Sequence, residues 1–213
     1  MKLYGKGTSR SFRCVWAAEE AGLDYEYISV EFGSAGEKGT NSEDYRSMNV
    51  QGKVPTLADG SVSGGPLVLT ESAAIVNYLG AVSDKNLCPP ASDPVLRGHY
   101  DQLMFFILSD LEQPLWTNGK HRFAIPKEHR VADVLPTTFW EFEKAQKALT
   151  KLIGESPTFA LGDAFSMVDI ALAHTLAWAE SFKFELLPGM KAYKDALYER
   201  EACQQALVKV SAE

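Results

Sequence analysis

Residues 51–79 read Q-G-K-V-P-T-L-A-D-G-S-V-S-G-G-P-L-V-L-T-E-S-A-A-I-V-N-Y-L, and the reading of this stretch decides the fold. Val54–Ala58 and Leu67–Leu69 are short runs of strand-forming residues, joined by a glycine-rich hairpin loop from Asp59-Gly60 to Gly64-Gly65. Glu71-Ser72 then opens an apolar helix that runs from Ser72 to about Leu79. Upstream, Lys2-Leu3-Tyr4 gives a short strand, Ser11–Ala21 a helix stopped by Gly22, and Tyr25–Val30 a second strand. Two parallel strands joined by a helix form a unit with a right-handed crossover. Gly33–Asn49 is a polar loop with one helical turn. The order β-α-β followed by β-β-α is thioredoxin-like.

Beyond this unit the pattern changes. Residues 81–93, A-V-S-D-K-N-L-C-P-P-A-S-D, have the composition of a linker. Leu96, Tyr100, Leu103, Ile107 and Leu111 then recur at helical spacing. A helix is expected over His129–Leu152, bent near Pro136 because proline has no N–H to donate. Another, strongly apolar and buried, is expected from Ser166 to about Glu180, and one or two shorter helices over Met190–Val208. The expected plan is an α/β thioredoxin-like domain at 1–81, a linker at 82–93 and an all-α helical bundle domain at 94–213.

Composition narrows the partners. The chain is 46% hydrophobic and 23% charged, ordinary for a globular protein, and its net charge of -7 disfavours nucleic acid and anionic membrane. No stretch approaches the roughly 20 apolar residues of a membrane span. The start, M-K-L-Y-G-K-G, lacks a secretory core, so a cytoplasmic location is expected. Cys14, Cys88 and Cys203 are too scattered for a disulfide framework, and the four histidines show no ligand spacing, so no metal is expected. Cys14 reads as a buried small hydrophobe, and neither Cys88 nor Cys203 as a nucleophile.

Two pairs of residues carry ligand chemistry. Val54-Pro55 offers an X-Pro bond, the one kind that takes the cis form at modest cost, and an extended main chain that can pair with a peptide as a sheet edge does. Glu71-Ser72 lies at a strand-to-helix junction, with Ser72 read as the helix cap. The helix end attracts a carboxylate while Glu71 pairs with an amine. A small peptide with a zwitterionic head, of which glutathione is an example, meets both demands. A thiol of pKa about 8.5 also needs a donor that favours its thiolate. Gly7-Thr8-Ser9-Arg10-Ser11 supplies three hydroxyls and a guanidinium, and the same hydroxyls are natural caps for the helix they precede.

On these residues the chain resembles the cytosolic glutathione transferases, of serine/threonine type and bacterial-like. The markers are K-L-Y at 2–4, E-E-A-G-L-D-Y-E at 19–26, G-K-V-P-T-L at 52–57, L-T-E-S-A-A-I-V-N-Y-L at 69–79 and F-S-M-V-D-I-A-L-A at 165–173. The resemblance implies glutathione as a substrate, a small hydrophobic electrophile as its partner, and a homodimer. It implies that Val54, beside a cis Pro55, bonds the cysteinyl backbone. Glu71 and Ser72 would hold the γ-glutamyl end, and Lys53 would lie near the glycyl carboxylate. The place of the tyrosine in tyrosine-type members is Gly5, which leaves Thr8, Ser9, Arg10 and Ser11 as candidates for the thiolate. Arg10 stands where beta-type members have cysteine, and Thr8-Ser9-Arg10 where zeta isomerases have Ser-Ser-Cys. The usual N-P before G-x-V-P is Asn49-Val50. Ser166 and Asp169 read as a structural helix cap, and Phe105 and Trp116 as candidates for the second-substrate site. The expected activity is conjugation. The alternatives are a glutathione-dependent disulfide reductase or peroxidase, or a non-catalytic ligand-binding protein.

Overall fold

Strand β1 (Lys2–Gly5) turns Leu3 into the core and leaves Lys2 in solvent, the alternation of a half-buried strand. In this computed structural model, which describes residues 1–212, β1 is an inner strand of a four-stranded sheet ordered β2-β1-β3-β4. It runs parallel to β2 (Glu26–Ser29) and antiparallel to β3 (Thr56–Asp59), which pairs antiparallel with β4 (Leu67–Thr70). β3 starts at Thr56 rather than Val54, because Pro55 has no N–H for the ladder.

Helix α1 (Ser11–Ala21) joins β1 to β2 and ends at Gly22, whose φ of 66° is the left-handed value a helix stop requires. The polar stretch before β3 holds α2 (Glu43–Met48), capped by the Ser42 side chain at the Tyr45 N–H, 3.2 Å away. α3 (Ser72–Val82) follows β4 and packs against α1. In the β3–β4 turn Asp59 accepts the hydroxyls of Ser61 and Tyr78, both at 2.7 Å, and the Ser61 N–H at 2.9 Å. Those donors hold its carboxyl below the ordinary aspartate value, the Ser61 hydroxyl first.

Contacts divide the chain into two units. One is Met1–Cys88 together with the segment from Tyr198 onward; the other is Pro89–Leu197. This differs from the expected helical domain of 94–213, because α9 (Glu201–Ser211) lies against α1. Tyr198 joins the buried rings of Phe12 and Trp16. Arg200 reaches both carboxylate oxygens of Glu20, at 2.6 and 2.8 Å.

The second unit is helical. α4 (Pro94–Phe106) begins with Asp93 accepting the Leu96 N–H at 3.0 Å and Pro94 in the first turn. A widened turn, Ile107–Leu111, leads into α5 (Glu112–Gly119), and another such turn follows at Lys120–Ala124. Pro114 cannot donate to the carbonyl of Asp110 and crowds it, and the widened turn before Pro114 makes room. Tyr100, Leu103, Ile107 and Leu111 are buried, whereas Leu96 is exposed. The helix expected over His129–Leu152 forms only from Leu135 onward, without the expected bend at Pro136. Short 3-10 turns occupy 127–129 and 132–134, and α6 (Leu135–Ile153) starts with Pro136 in its first turn, where the missing N–H costs no helical bond. α7 (Met167–Ser181) is buried along most of its length, and α8 (Pro188–Tyr198) follows.

Ser166 and Asp169 make the expected capping box, and Asp169 does more than cap. Its carboxylate accepts the N–H groups of Ser166 and Ala160, each at 2.7 Å, the Ser166 hydroxyl at 3.0 Å and the Tyr193 hydroxyl at 2.6 Å. Ser166→Ala is expected to lower stability by about 1 kcal/mol. Asp169→Ala orphans several buried donors and is expected to cost about 3 kcal/mol or more; urea denaturation of both variants compares them. The Asp59 bonds predict a pH effect. A depressed carboxyl pKa stabilises the fold above the ordinary aspartate value of about 4 and loses that contribution as pH falls through the folded value. Thermal melts at neutral pH and at about pH 3 should therefore show a smaller acid-induced drop for Asp59→Asn than for the parent chain.

Candidate functional site

Thr56 is paired on both sides, opposite Tyr4 in β1 and opposite Thr70 in β4. One end of the sheet therefore gathers three segments that are far apart in sequence: the loop after Gly5, the Val54-Pro55 pair, and Glu71-Ser72. Adjacent strands lie about 4.8 Å apart, so the span from β1 across β3 to β4 is about 10 Å. Three residues of extended chain cover the same distance, about 10 Å.

Val54 lies in the middle of this span. The Val54-Pro55 peptide bond is cis. Among the described residues no group pairs with the main-chain N–H or C=O of Val54. The preceding carbonyl, of Lys53, is held firmly. It accepts the Tyr45 hydroxyl at 2.6 Å and the Asn49 amide at 2.9 Å, and both side chains also meet the Thr56 hydroxyl, at 2.9 and 3.0 Å. Tyr45, Asn49 and Thr56 are buried. Gly52 closes the loop at φ 60°, where an added Cβ would sit 2.7 Å from the Thr40 carbonyl oxygen. Tyr45 had no motif to mark it in the sequence, and Thr56 stood inside the G-K-V-P-T-L marker without a role assigned to it. Asn49 did have a signal, since it precedes the position where the family's pattern carries proline. The Lys53 side chain is exposed.

At the β4–α3 junction the helix cap is Glu71 and not Ser72. Glu71 has φ 69° and ψ 115°, and Ser72 occupies the first helical position. A positive φ at a glutamate is strained, costing about 1–3 kcal/mol, and such strain clusters at functional sites. The Glu71 side chain is exposed. The first intrahelical bond runs from the Ile75 N–H to the Glu71 carbonyl at 3.0 Å, so the N–H groups of residues 72–74 face outward at the positive end of an eleven-residue helix. Ser72 is anchored from below. Its hydroxyl accepts from the fully buried Arg13 at 3.3 Å, and its carbonyl receives the Cys14 thiol at 3.8 Å. Burial pushes the Cys14 thiol well up, which makes it a packing group and not a thiolate. Cys203 is likewise pushed up, to about 12, chiefly by burial.

In the loop after β1 it is the Ser9 hydroxyl that accepts the first helical N–H, that of Ser11, at 3.4 Å. Arg10 takes the cap position without a side-chain cap bond. Thr8 is exposed, Ser9 and Arg10 are half-buried, and Ser11 is buried at 2% exposure. The Ser11 hydroxyl lies 2.9 Å from that of Ser9 and accepts the Lys6 N–H at 3.2 Å. Gly5 explains why no tyrosine stands at its position: a Cβ there would meet the Ser11 Cβ at 2.5 Å and the Tyr27 ring at 2.9 Å. In the other unit Phe105 is 68% exposed and Trp116 is half-buried. Among the described residues no cluster of histidine, cysteine or carboxylate side chains could hold a metal ion.

The glutathione S-transferase N-terminal domain model matches residues 1–81, and the C-terminal domain model matches residues 141–196. Glutathione S-transferase Z2 of Arabidopsis thaliana is 30% identical over 195 residues, covering 87% of this chain and 80% of that protein. The disulfide-bond oxidoreductase YfcG of Escherichia coli is 26% identical over 211 residues, covering 97% of this chain and 94% of that one. A theta class glutathione S-transferase of Xanthomonas axonopodis pv. citri, solved with glutathione bound, superposes with a TM-score of 0.76 at 29% identity, over 97% of this chain and 96% of the other. With an α/β sheet domain that carries this junction geometry and a helical region after it, the chain belongs to the glutathione S-transferase family.

Proposed function

We propose that the chain binds glutathione in extended form across the ends of β1, β3 and β4 and activates its thiol for attack on small hydrophobic electrophiles. The observation that carries this reading is the unpaired main chain of Val54, flanked within the length of a tripeptide by an exposed carboxylate on a helix end and by a hydroxyl-bearing loop. The cysteinyl N–H and C=O pair with Val54 as in an added strand. The γ-glutamyl amine meets Glu71 and its α-carboxylate the α3 N–H groups beside Ser72. Pro55 directs the Val54 backbone, and Lys53 lies toward the glycyl carboxylate.

The thiol loses its proton to solvent, and a hydroxyl of the Thr8–Ser11 loop holds the thiolate, with the Arg10 charge nearby. The sulfur lone pair then forms a carbon–sulfur bond while the leaving group departs with its electron pair. Phe105 and Trp116 are candidates for holding the apolar part of the electrophile. The reading carries with it a cytoplasmic homodimer.

A second reading, a glutathione-dependent disulfide reductase, is favoured by the similarity to YfcG along nearly the whole chain. With Cys14 and Cys203 held protonated by burial, the attacking sulfur would again be that of glutathione. Two glutathione molecules would reduce one small disulfide to two thiols and leave as glutathione disulfide.

Turnover of a generic aryl halide and of a small disulfide, measured side by side, separates the readings. Faster conjugation is expected, and faster disulfide turnover would favour the reductase. Glu71→Gly accommodates the positive φ and removes the carboxylate. Its melting temperature is expected to be held or raised while calorimetric glutathione affinity falls about tenfold. Unchanged affinity would remove Glu71 from the site. Tyr45→Phe removes one of the two hydrogen bonds on the Lys53 carbonyl and is expected to raise KM for glutathione more than it lowers kcat.

A further inference from the structure

We infer that Ser11 is a positioning residue that commits the Ser9 hydroxyl to donation, making Ser9 rather than Thr8 the group that hydrogen-bonds the glutathione sulfur. This rests on the reading that glutathione binds at this end of the sheet. The argument is a count of hydrogens. A serine hydroxyl has one hydrogen and two acceptor sites. The buried Ser11 oxygen already accepts the Lys6 N–H at 3.2 Å, and its remaining neighbour among the described residues is the Ser9 oxygen at 2.9 Å. A buried hydroxyl hydrogen without an acceptor is costly, so the Ser11 hydrogen points at Ser9.

Ser9 then receives the Ser11 hydroxyl and, at 3.4 Å, the Ser11 N–H. Both of its acceptor sites are used, and its own hydrogen has no acceptor among the described residues. Ser9 is half-buried, so that hydrogen is directed at the open side of the loop. The opposite orientation, with Ser9 donating to Ser11, strands the Ser11 hydrogen inside the protein. The chain Lys6 N–H to Ser11 to Ser9 polarises each bond in turn, which strengthens the last donor.

A thiolate accepts hydrogen bonds and cannot donate one, so it matches a hydroxyl that can only donate. Ser11 can occupy its place only because residue 5 is glycine, whose added Cβ would lie 2.5 Å from the Ser11 Cβ and 2.9 Å from its hydroxyl oxygen. The missing tyrosine and the serine pair are therefore one arrangement: a side chain at position 5 and a serine behind Ser9 exclude each other.

The test is the pKa of enzyme-bound glutathione, followed by thiolate absorbance against pH, with glutathione Kd measured by calorimetry on the same preparations. Ser9→Ala is expected to lower the thiolate fraction at neutral pH about tenfold with Kd little changed. Ser11→Ala is expected to lower it about threefold in the parent chain and to have no further effect in the Ser9→Ala background. Ser11→Cys keeps the shape of the side chain with a weak donor and should show the same loss if Ser11→Ala fails to fold. Equal Ser11 effects with and without the Ser9 hydroxyl would overturn the relay. A Thr8→Ala variant that removes the thiolate while Ser9→Ala does not would overturn the choice of Ser9. Absence of glutathione binding to the parent chain would overturn the underlying reading, and calorimetry distinguishes that failure from the other two.

Discussion

The arrangement depends on Thr56 serving two structures at once. Its main chain is the first in β3 to be paired with both β1 and β4. Its hydroxyl sits in the buried network with Tyr45 and Asn49 that grips the carbonyl of Lys53. The residue between that grip and Pro55 is Val54, whose main-chain groups are left without a partner among the described residues. Main-chain groups are normally paired, and an open pair held rigidly on both sides is a preformed edge for another strand. An ordered edge also spares an incoming peptide part of the entropy cost that binding to a loose loop would impose.

Each end of the same span is organised on this principle of support from below. At the α3 junction Arg13 and Cys14 of α1 hold Ser72, which leaves the strained Glu71 above it with an exposed carboxylate. At the β1 loop Lys6 and Ser11 stand behind Ser9. α1 thus reaches two of the three segments, and it is buried along nearly its whole length. The Tyr198 ring packs on α1, and the Arg200–Glu20 ion pair ties the following segment to it.

Much of this was legible in the chain as written. The alternation at Lys2–Tyr4, the helix stop at Gly22, the strand pair around the glycine-rich loop and the Ser166–Asp169 cap are local signals, set by backbone freedom and by side chains near in sequence. The errors were of the opposite kind. Ser72 has the chemistry of a cap, but the hydrogen bond to Arg13, 59 positions away, takes its hydroxyl elsewhere. Pro136 read as a bend because its effect depends on where the helix begins, and the 3-10 turns before it were not visible in periodicity. α9 read as part of the helical domain because sequence order says nothing about which core a terminal helix joins.

The sequence by itself therefore determined most of the elements, the parallel pair and the hairpin of the sheet, and the residue types from which a peptide site could be built. Those properties follow from short-range sterics, turn chemistry and hydrophobic period. Only the tertiary structure decided which groups remain open for a ligand. It closed the Ser11 hydroxyl and kept the Val54 main chain unpaired among the described residues. It also moved the cap from Ser72 to Glu71 and recruited Tyr45, which no motif marked, together with Asn49. The physical reason is that a polar group's availability is a balance over its three-dimensional neighbours, and in this chain those neighbours lie on other elements.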